Sequence, residues 1–279
     1  MLLSRRTDTG CFAEYGEAEK TPANLMQIIL TKGCPAMPHT TLPEHAPPGG
    51  ATHPRFTDHL WDVTADLRRA IDDLEFLRRL GDGTLPVESF RTYIEQDGLY
   101  LEGYAKALAL LASRAPDPVD GAFWATSAAT AVTVEKSLHA DLLNDPRLGD
   151  APPSTEHSPA CLGYVSYLTA TAATDSYAVG AAAALPCFWI YAEVGRTLAA
   201  SARAVLAADP DHPYARWVTT YDAEDFQVSA ARARDVVDAA ARDAGPDERA
   251  RMTRAFVVAL RYELLFWDTA LHTTPWPSA

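Results

Sequence analysis

Asp97 is an acidic residue on an otherwise apolar helical face. It lies four residues after Tyr93 and three before Tyr100, and Tyr104 follows four residues later. Steps of three and four residues align side chains along one side of an α-helix. Burying an ionised carboxylate there is costly unless it is paired or hydrogen-bonded. Asp97 is therefore either a structural carboxylate satisfied by tyrosine hydroxyls or backbone groups, or a functional one, since perturbed buried carboxylates concentrate at functional sites.

Glu263 repeats this pattern near the end of the chain. It lies four residues after Ala259 and three before Phe266, with Tyr262 and Trp267 nearby. An acid embedded among aromatic side chains is expected to have a raised pKa and to hold a proton near neutral pH, as a general acid must. A purely structural role is the alternative.

Cys187 lies in the longest apolar run of the chain, the 14 residues from Val179 to Ala192. A cysteine in such a run is most often a small buried hydrophobe. Pro186 favours another interpretation, because proline inside a helix kinks or breaks it. If the helix restarts at Pro186, Cys187 lies in its first turn, where the helix dipole stabilises a thiolate.

Six tyrosines fall on or beside apolar helical faces. Such a set is usually core, but buried hydroxyls need partners, and several converging hydroxyls suit a flat heteroaromatic ligand. The six are Tyr100, Tyr104, Tyr164, Tyr167, Tyr191 and Tyr221.

Metal and nucleotide sites are poorly supported. Glu135 and His139 are four residues apart and could share a metal, but two ligands do not make a site, and a solvated or helix-stabilising pair is the favoured interpretation. The sequence contains no phosphate-binding glycine loop, nucleophile elbow or dinucleotide fingerprint. We therefore predict no metal and no organic cofactor.

The elements that carry these residues are predicted to be helices. The apolar spacing predicts one helix over 56–77, ended by Gly81 and Gly83, and a second that begins after Pro86. Further helices are predicted over 121–143, 159–173, 176–203, 223–244 and 246–272, and no segment alternates as a strand does. The sequence predicts one all-α domain over 53–279.

The first 52 residues differ in composition. Six prolines fall between Pro35 and Pro54, and periodic apolar residues are scarce. Such a stretch cannot bury enough surface to offset its ordering entropy, so we predict a disordered or weakly structured extension over 1–52.

The charge and the cysteine content disfavour several kinds of binding partner and a disulfide-bonded fold. With 24 Lys and Arg against 37 Asp and Glu, the net charge is −13, which disfavours nucleic-acid binding. Four cysteines in 279 residues suggest no disulfide framework, and no apolar run reaches the roughly 20 residues of a membrane span. We expect a soluble, cytoplasmic protein without a nucleic-acid or membrane partner.

Together, these residues resemble the TenA family of thiaminase II enzymes. The similarity runs in family order over 53–272, about four fifths of the chain. It rests on Leu80–Pro86 with Phe90, Tyr93, Gln96 and Asp97; on Glu135 and His139; on Ser158, Pro159 and Tyr164; on residues 185–195; on His212, Pro213, Tyr214, Trp217 and Tyr221; and on Tyr262, Glu263, Phe266 and Trp267.

The resemblance implies a fold, an assembly and an activity. The fold is a heme-oxygenase-like helical bundle, usually a homotetramer. The activity is aminopyrimidine hydrolysis, which releases ammonia from 4-amino-5-aminomethyl-2-methylpyrimidine to give the hydroxymethyl pyrimidine used for thiamine; thiamine itself is cleaved more slowly. Tyr167 and Tyr104 stand where the family often has a polar residue and phenylalanine, respectively.

The resemblance also implies roles for single residues. Cys187 resembles the nucleophile and places the chain in the cysteine-bearing group. Glu263 resembles the carboxylate that contacts the ring and manages protons, and Asp97 the one that anchors the ring amine. The substrate would lie against Tyr100, Tyr104, Tyr164 and Tyr221.

Two other functions compete with this one. A di-iron or cofactor-free oxidase of the same fold would need more carboxylate and histidine ligands around Glu135 and His139. A non-catalytic pyrimidine-binding regulator is the second, although the acidic charge disfavours direct DNA binding.

Overall fold

The protein is helical throughout the part that the structure describes. The computed structural model describes residues 54–149 and 151–277, and within these ranges it contains no strand. The predicted all-α class is confirmed, whereas the predicted extension over 1–52 lies outside the described residues. The α-helices are α1 (Phe56–Val63), α2 (Ala65–Asp72), α3 (Glu75–Gly81), α4 (Val87–Arg114), α5 (Pro118–Thr130), α6 (Lys136–Leu143), α7 (Pro159–Thr174), α8 (Tyr177–Ala208), α9 (Pro213–Asp222), α10 (Glu224–Asp243) and α11 (Pro246–Leu271).

Helix α8 is the centre of the bundle. It packs against α7, α9, α10 and α11, while α4 packs against α5 and α7 on the neighbouring side. A helix that is apolar on all sides is expected to be buried. By length and composition α8 could cross a membrane, but 89% of its most apolar stretch is buried inside the fold, as in the core helix of a soluble protein.

Pro186 does not break α8. The helix runs from Tyr177 to Ala208 without a restart, so Cys187 lies in its middle and the first-turn placement considered from the sequence is wrong. Proline removes one backbone hydrogen bond at a cost of about 3 kcal/mol. We attribute the continuity of the helix to packing by the four surrounding helices, a tertiary effect that local sequence does not report.

Three other boundaries differ from the predictions. The helix predicted over 56–77 is three helices, interrupted at Thr64, whose hydroxyl donates to the Leu60 carbonyl oxygen at 2.7 Å, and again at residues 73–74. The helix predicted over 121–143 is α5, a π-helix at Ala131–Glu135, and α6. Helix α9 was not predicted. The apolar spacing continues across the breaks in the two divided helices, so periodicity does not show where they are interrupted. Helix α9 is too short for its apolar spacing to indicate a helix.

The turn between α3 and α4 depends on glycine, as predicted. Gly83 has a φ of +76°, a left-handed conformation that glycine adopts readily. A Cβ atom on Gly81 would lie 2.8 Å from Cδ2 of Leu198 on α8. The turn thus lets α3 approach the central helix and sets the direction of α4.

Candidate active site

Asp97 is buried on α4 and faces a histidine. Its side chain is 2% exposed, and its Oδ2 lies 3.0 Å from Nε2 of His139, whose side chain is 4% exposed. The tyrosines on its helical face make other bonds: the Tyr104 hydroxyl donates to the Ala184 carbonyl oxygen at 2.9 Å, and the Tyr93 and Tyr191 hydroxyls lie 3.2 Å apart. The pairing of Asp97 with tyrosine hydroxyls considered from the sequence is therefore replaced by a contact with His139.

Glu263 is buried on α11 and holds a proton at neutral pH. It is 1% exposed, and the Tyr164 hydroxyl donates to its Oε1 at 2.7 Å. Burial raises the pKa of Glu263 to about 8; the bond from Tyr164 opposes this shift, and the charge of Asp97 adds to it. The raised pKa predicted from its aromatic surroundings is confirmed.

Cys187 acts electrostatically on the same tyrosines as Glu263. It is half-buried, unlike Cys161, which is fully buried and whose pKa burial raises to about 12. Burial raises the pKa of Tyr164, and the charges of Glu263 and of Cys187 both add to that rise. A sulfur atom and an acid on two different helices thus act on one tyrosine.

Tyr100 lies at the centre of this cluster. Its ring is 4.9 Å from that of Tyr164 and 5.4 Å from that of Tyr104, onto which it stacks. Its buried hydroxyl lies near that of Tyr164, whose pKa it lowers by hydrogen bonding, but the two groups are not well aligned and the Tyr100 hydroxyl has no partner of good geometry in the described structure. Buried polar atoms are nearly always satisfied, so this hydroxyl suggests that a polar ligand belongs beside it.

Tyr221 reaches the cluster through Tyr191. Its ring on α9 is 5.1 Å from the ring of Tyr191. Burial raises the pKa of Tyr191, and Tyr93, Asp97, Glu263 and Cys187 add to the rise. The charges of all three candidate reactive groups thus reach Tyr191. The sequence placed Tyr191 only among the apolar-face tyrosines, although its position one helical turn after Cys187 puts both on one face of α8.

Of the Glu135–His139 pair, the structure describes only the side chain of His139. That side chain faces Asp97. In the described part of the chain, no three His, Cys, Asp or Glu side chains group closely enough to hold a metal ion.

A cavity of about 340 Å³ adjoins the cluster on the side of Tyr93 and Phe266. Gln96, the neighbour of Asp97, also lines it. The C-terminal segment closes part of its rim, where the indole Nε1 of Trp276 donates to the His157 carbonyl oxygen at 2.9 Å. This cavity lies between the cluster and the protein surface.

The family model described as TENA/THI-4/PQQC matches residues 71–273. That range contains Asp97, His139, Cys187 and Glu263.

Two relatives are similar in sequence. The thiamine biosynthesis multifunctional protein ThiED of Corynebacterium efficiens is 42% identical over 217 residues, 77% of this chain and 28% of that protein. The aminopyrimidine aminohydrolase of Bacillus subtilis is 30% identical over 203 residues, 72% of this chain and 83% of that protein. The chain spans about a third of the length of the two Corynebacterium relatives that it matches, 28% in one and 32% in the other.

Solved structures share the fold. The TenA homologue of P. horikoshii OT3 is 28% identical, with a TM-score of 0.67 over 78% of this chain and 99% of that chain. A Shewanella denitrificans domain with a heme oxygenase-like fold is 15% identical, with a TM-score of 0.59 over 77% of this chain and 91% of that chain. The second likeness shows the fold alone, and it confirms the predicted heme-oxygenase-like bundle.

Proposed function

Because the chain belongs to the TENA/THI-4/PQQC family, we propose that it is an aminopyrimidine aminohydrolase of thiamine salvage. The substrate is 4-amino-5-aminomethyl-2-methylpyrimidine, and the products are the 5-hydroxymethyl pyrimidine and ammonia. Thiamine is a slower substrate of the same site. The Bacillus subtilis relative bears the name of this activity.

One observation carries the proposal. The Tyr164 hydroxyl donates to the buried acid Glu263 at 2.7 Å, and its ring lies 4.9 Å from that of Tyr100. The charge of the half-buried thiol Cys187 raises the pKa of both tyrosines. A planar heterocycle among these groups would meet a nucleophile, a proton donor and a hydrogen-bonding hydroxyl together.

The chemistry needs that combination. An amine on a methylene attached to an electron-rich ring is too poor a leaving group for direct displacement. The Cys187 thiolate adds to the adjacent ring carbon, while Glu263 gives its proton to a ring nitrogen, and the ring electrons expel the aminomethyl nitrogen, which is protonated as an ammonium group, as ammonia. Water then adds to the exocyclic carbon and loses one proton to solvent, which balances the proton carried away by ammonia. The thiolate leaves the ring, and the ring proton returns to Glu263.

The remaining residues hold the ring. Asp97 accepts a hydrogen bond from the ring amine, which fixes the orientation of the pyrimidine relative to the sulfur. Tyr100, Tyr104, Tyr164 and Tyr221 form the walls of the site. No step of this sequence requires a metal ion or an organic cofactor, because the sulfur and the acid supply the nucleophile and the proton.

Two further properties are proposed, the first from the family resemblance and the second from the composition of the sequence. We propose that the chain forms a homotetramer and that it acts in the cytoplasm. Its net charge of −13 gives no support for a nucleic-acid partner.

A substrate panel tests the proposed function. We expect ammonia release from the aminomethyl pyrimidine with a kcat/KM at least tenfold above that for thiamine cleavage, measured by a coupled ammonia assay and by chromatography of the pyrimidine product. Binding of the pyrimidine without turnover would instead favour the regulator, and stoichiometric iron in the purified protein would favour the oxidase.

A further inference from the structure

The partner of Asp97 comes from a part of the fold that the proposed chemistry does not use. Nε2 of His139 on α6 lies 3.0 Å from Oδ2 of Asp97, and both side chains are almost completely buried. A Cβ atom on Gly98 would lie 3.9 Å from Nδ1 of the same ring. The imidazole therefore rests against α4 at residues 97 and 98, with Nε2 in contact with the carboxylate.

A π-helix determines which way His139 faces. The segment Ala131–Glu135 separates α5 from α6, and both this segment and α6 pack against α4. A π-turn inserts one extra residue, and each residue of an α-helix turns the chain by roughly 100°. Without the insertion, α6 would continue α5 with His139 rotated by about that angle. Single π-turns are frequent at functional sites.

We propose that His139 is a positioning residue, aimed by the π-helix, that holds the Asp97 carboxylate in the orientation that receives the ring amine of the substrate. This inference rests on the proposed function. Nε2 of His139 lies 3.0 Å from Oδ2 but is not aligned on it as a hydrogen-bond donor in the structure. For this role an N–H at Nε2 must donate to Oδ2 when substrate binds, which leaves Oδ1 to accept from the substrate. A buried carboxylate with one fixed oxygen loses little rotational freedom when the ring amine binds.

The test measures binding of two ligands to several variants. The ligands are 4-amino-5-hydroxymethyl-2-methylpyrimidine and its analogue without the 4-amino group, with Kd measured by calorimetry. In His139→Leu we expect the amino ligand to bind about 10- to 100-fold more weakly, the usual effect of losing a supporting hydrogen bond to a functional group. Binding of the analogue should change less than threefold, because it does not use Asp97.

Further variants separate positioning from general destabilisation. His139→Gln keeps an amide nitrogen near the position of Nε2 and should restore most of the preference for the amino ligand. The side chain of His139→Asn is too short to reach Oδ2, so this variant should weaken binding of the amino ligand as His139→Leu is expected to do. It provides the same test if the leucine variant does not fold. His212→Leu, at a half-buried histidine beside Gly83, is the matched control and should leave the preference unchanged. In an Asp97→Asn background, His139→Leu should add no further loss.

The outcomes that overturn the inference are distinct from those that overturn the proposed function. Equal weakening of both ligands by the His139 variants, or no weakening, would overturn the positioning role while wild-type binding still supported the function. A wild-type chain that binds neither ligand and releases no ammonia would overturn the proposed function and this inference with it.

Discussion

Replacing Cys187 by serine is expected to abolish ammonia release, with kcat reduced at least about 10³-fold. The hydroxyl of serine is a far weaker nucleophile than a thiolate, and the proposed route begins with addition of that atom to the ring. The substitution removes one polarisable atom from a half-buried position, so the fold should be retained. Single-turnover assays and circular dichroism of the same sample check both parts of the prediction.

Cys161→Ser is the matched control for this experiment. Cys161 is fully buried on α7, and its Sγ donates to the Gln96 carbonyl oxygen at 3.5 Å, a bond that a hydroxyl can also make. We expect its turnover to stay within a few-fold of wild type. Turnover by Cys187→Ser within tenfold of wild type would show that the thiol is not the nucleophile.

Glu263→Gln is expected to lower kcat/KM by about 10² to 10⁴-fold and to stabilise the protein at the same time. Glutamine cannot give a proton to the ring nitrogen, and loss of a general acid has an effect of about that size. Its amide oxygen can still accept the hydrogen bond from Tyr164, so packing should change little.

The stability effect follows from the pKa of Glu263. The value in the folded protein is about 8 and the ordinary value is 4.5, so the unfolded chain releases this proton at lower pH than the folded chain. Below pH 4.5 the carboxyl group is protonated in both the folded and the unfolded chain, and its contribution to stability is fully present. Between pH 4.5 and pH 8 only the unfolded chain gains free energy by releasing the proton, so this contribution is lost as the pH rises through 8. The free energy of unfolding should therefore fall by about 4 kcal/mol between pH 5 and pH 8 through this group alone.

Urea unfolding of both proteins at pH 5, 7 and 8 measures this difference. The wild type should lose stability over that range, and Glu263→Gln should lose much less of it. Parallel stability curves for the two proteins would mean that Glu263 is ionised in the folded state and is not the proton donor.

Two of the candidate site residues were predictable because their types conflict with their surroundings. Asp97 and Glu263 stand on faces that are otherwise apolar, so helical periodicity alone indicated two buried acids that need an explanation. Cys187 was indicated by a helix restart at Pro186, which the structure contradicts, and by the family resemblance. Long helices such as α4 and α11 were predictable because their apolar spacing extends over many turns.

The arrangement around these residues was not predictable from local sequence. The π-helix before α6 changes the helical phase without a distinctive residue pattern, so the contact between His139 and Asp97, 42 positions apart, could not be inferred. The continuity of α8 through Pro186 depends on packing by other helices. The position of Tyr191 on the same helical face as Cys187, by contrast, follows from the sequence, because the two residues are four positions apart.

A crystal structure of the protein with 4-amino-5-hydroxymethyl-2-methylpyrimidine bound tests the convergence of these groups on one ring. We predict that the ring lies against Tyr100, with its amine on Asp97, a ring nitrogen on Glu263, and Sγ of Cys187 roughly 3 to 3.5 Å from the ring carbon that it attacks. A pyrimidine bound instead in the cavity beside Trp276, or with the sulfur directed away from the ring, would contradict the account.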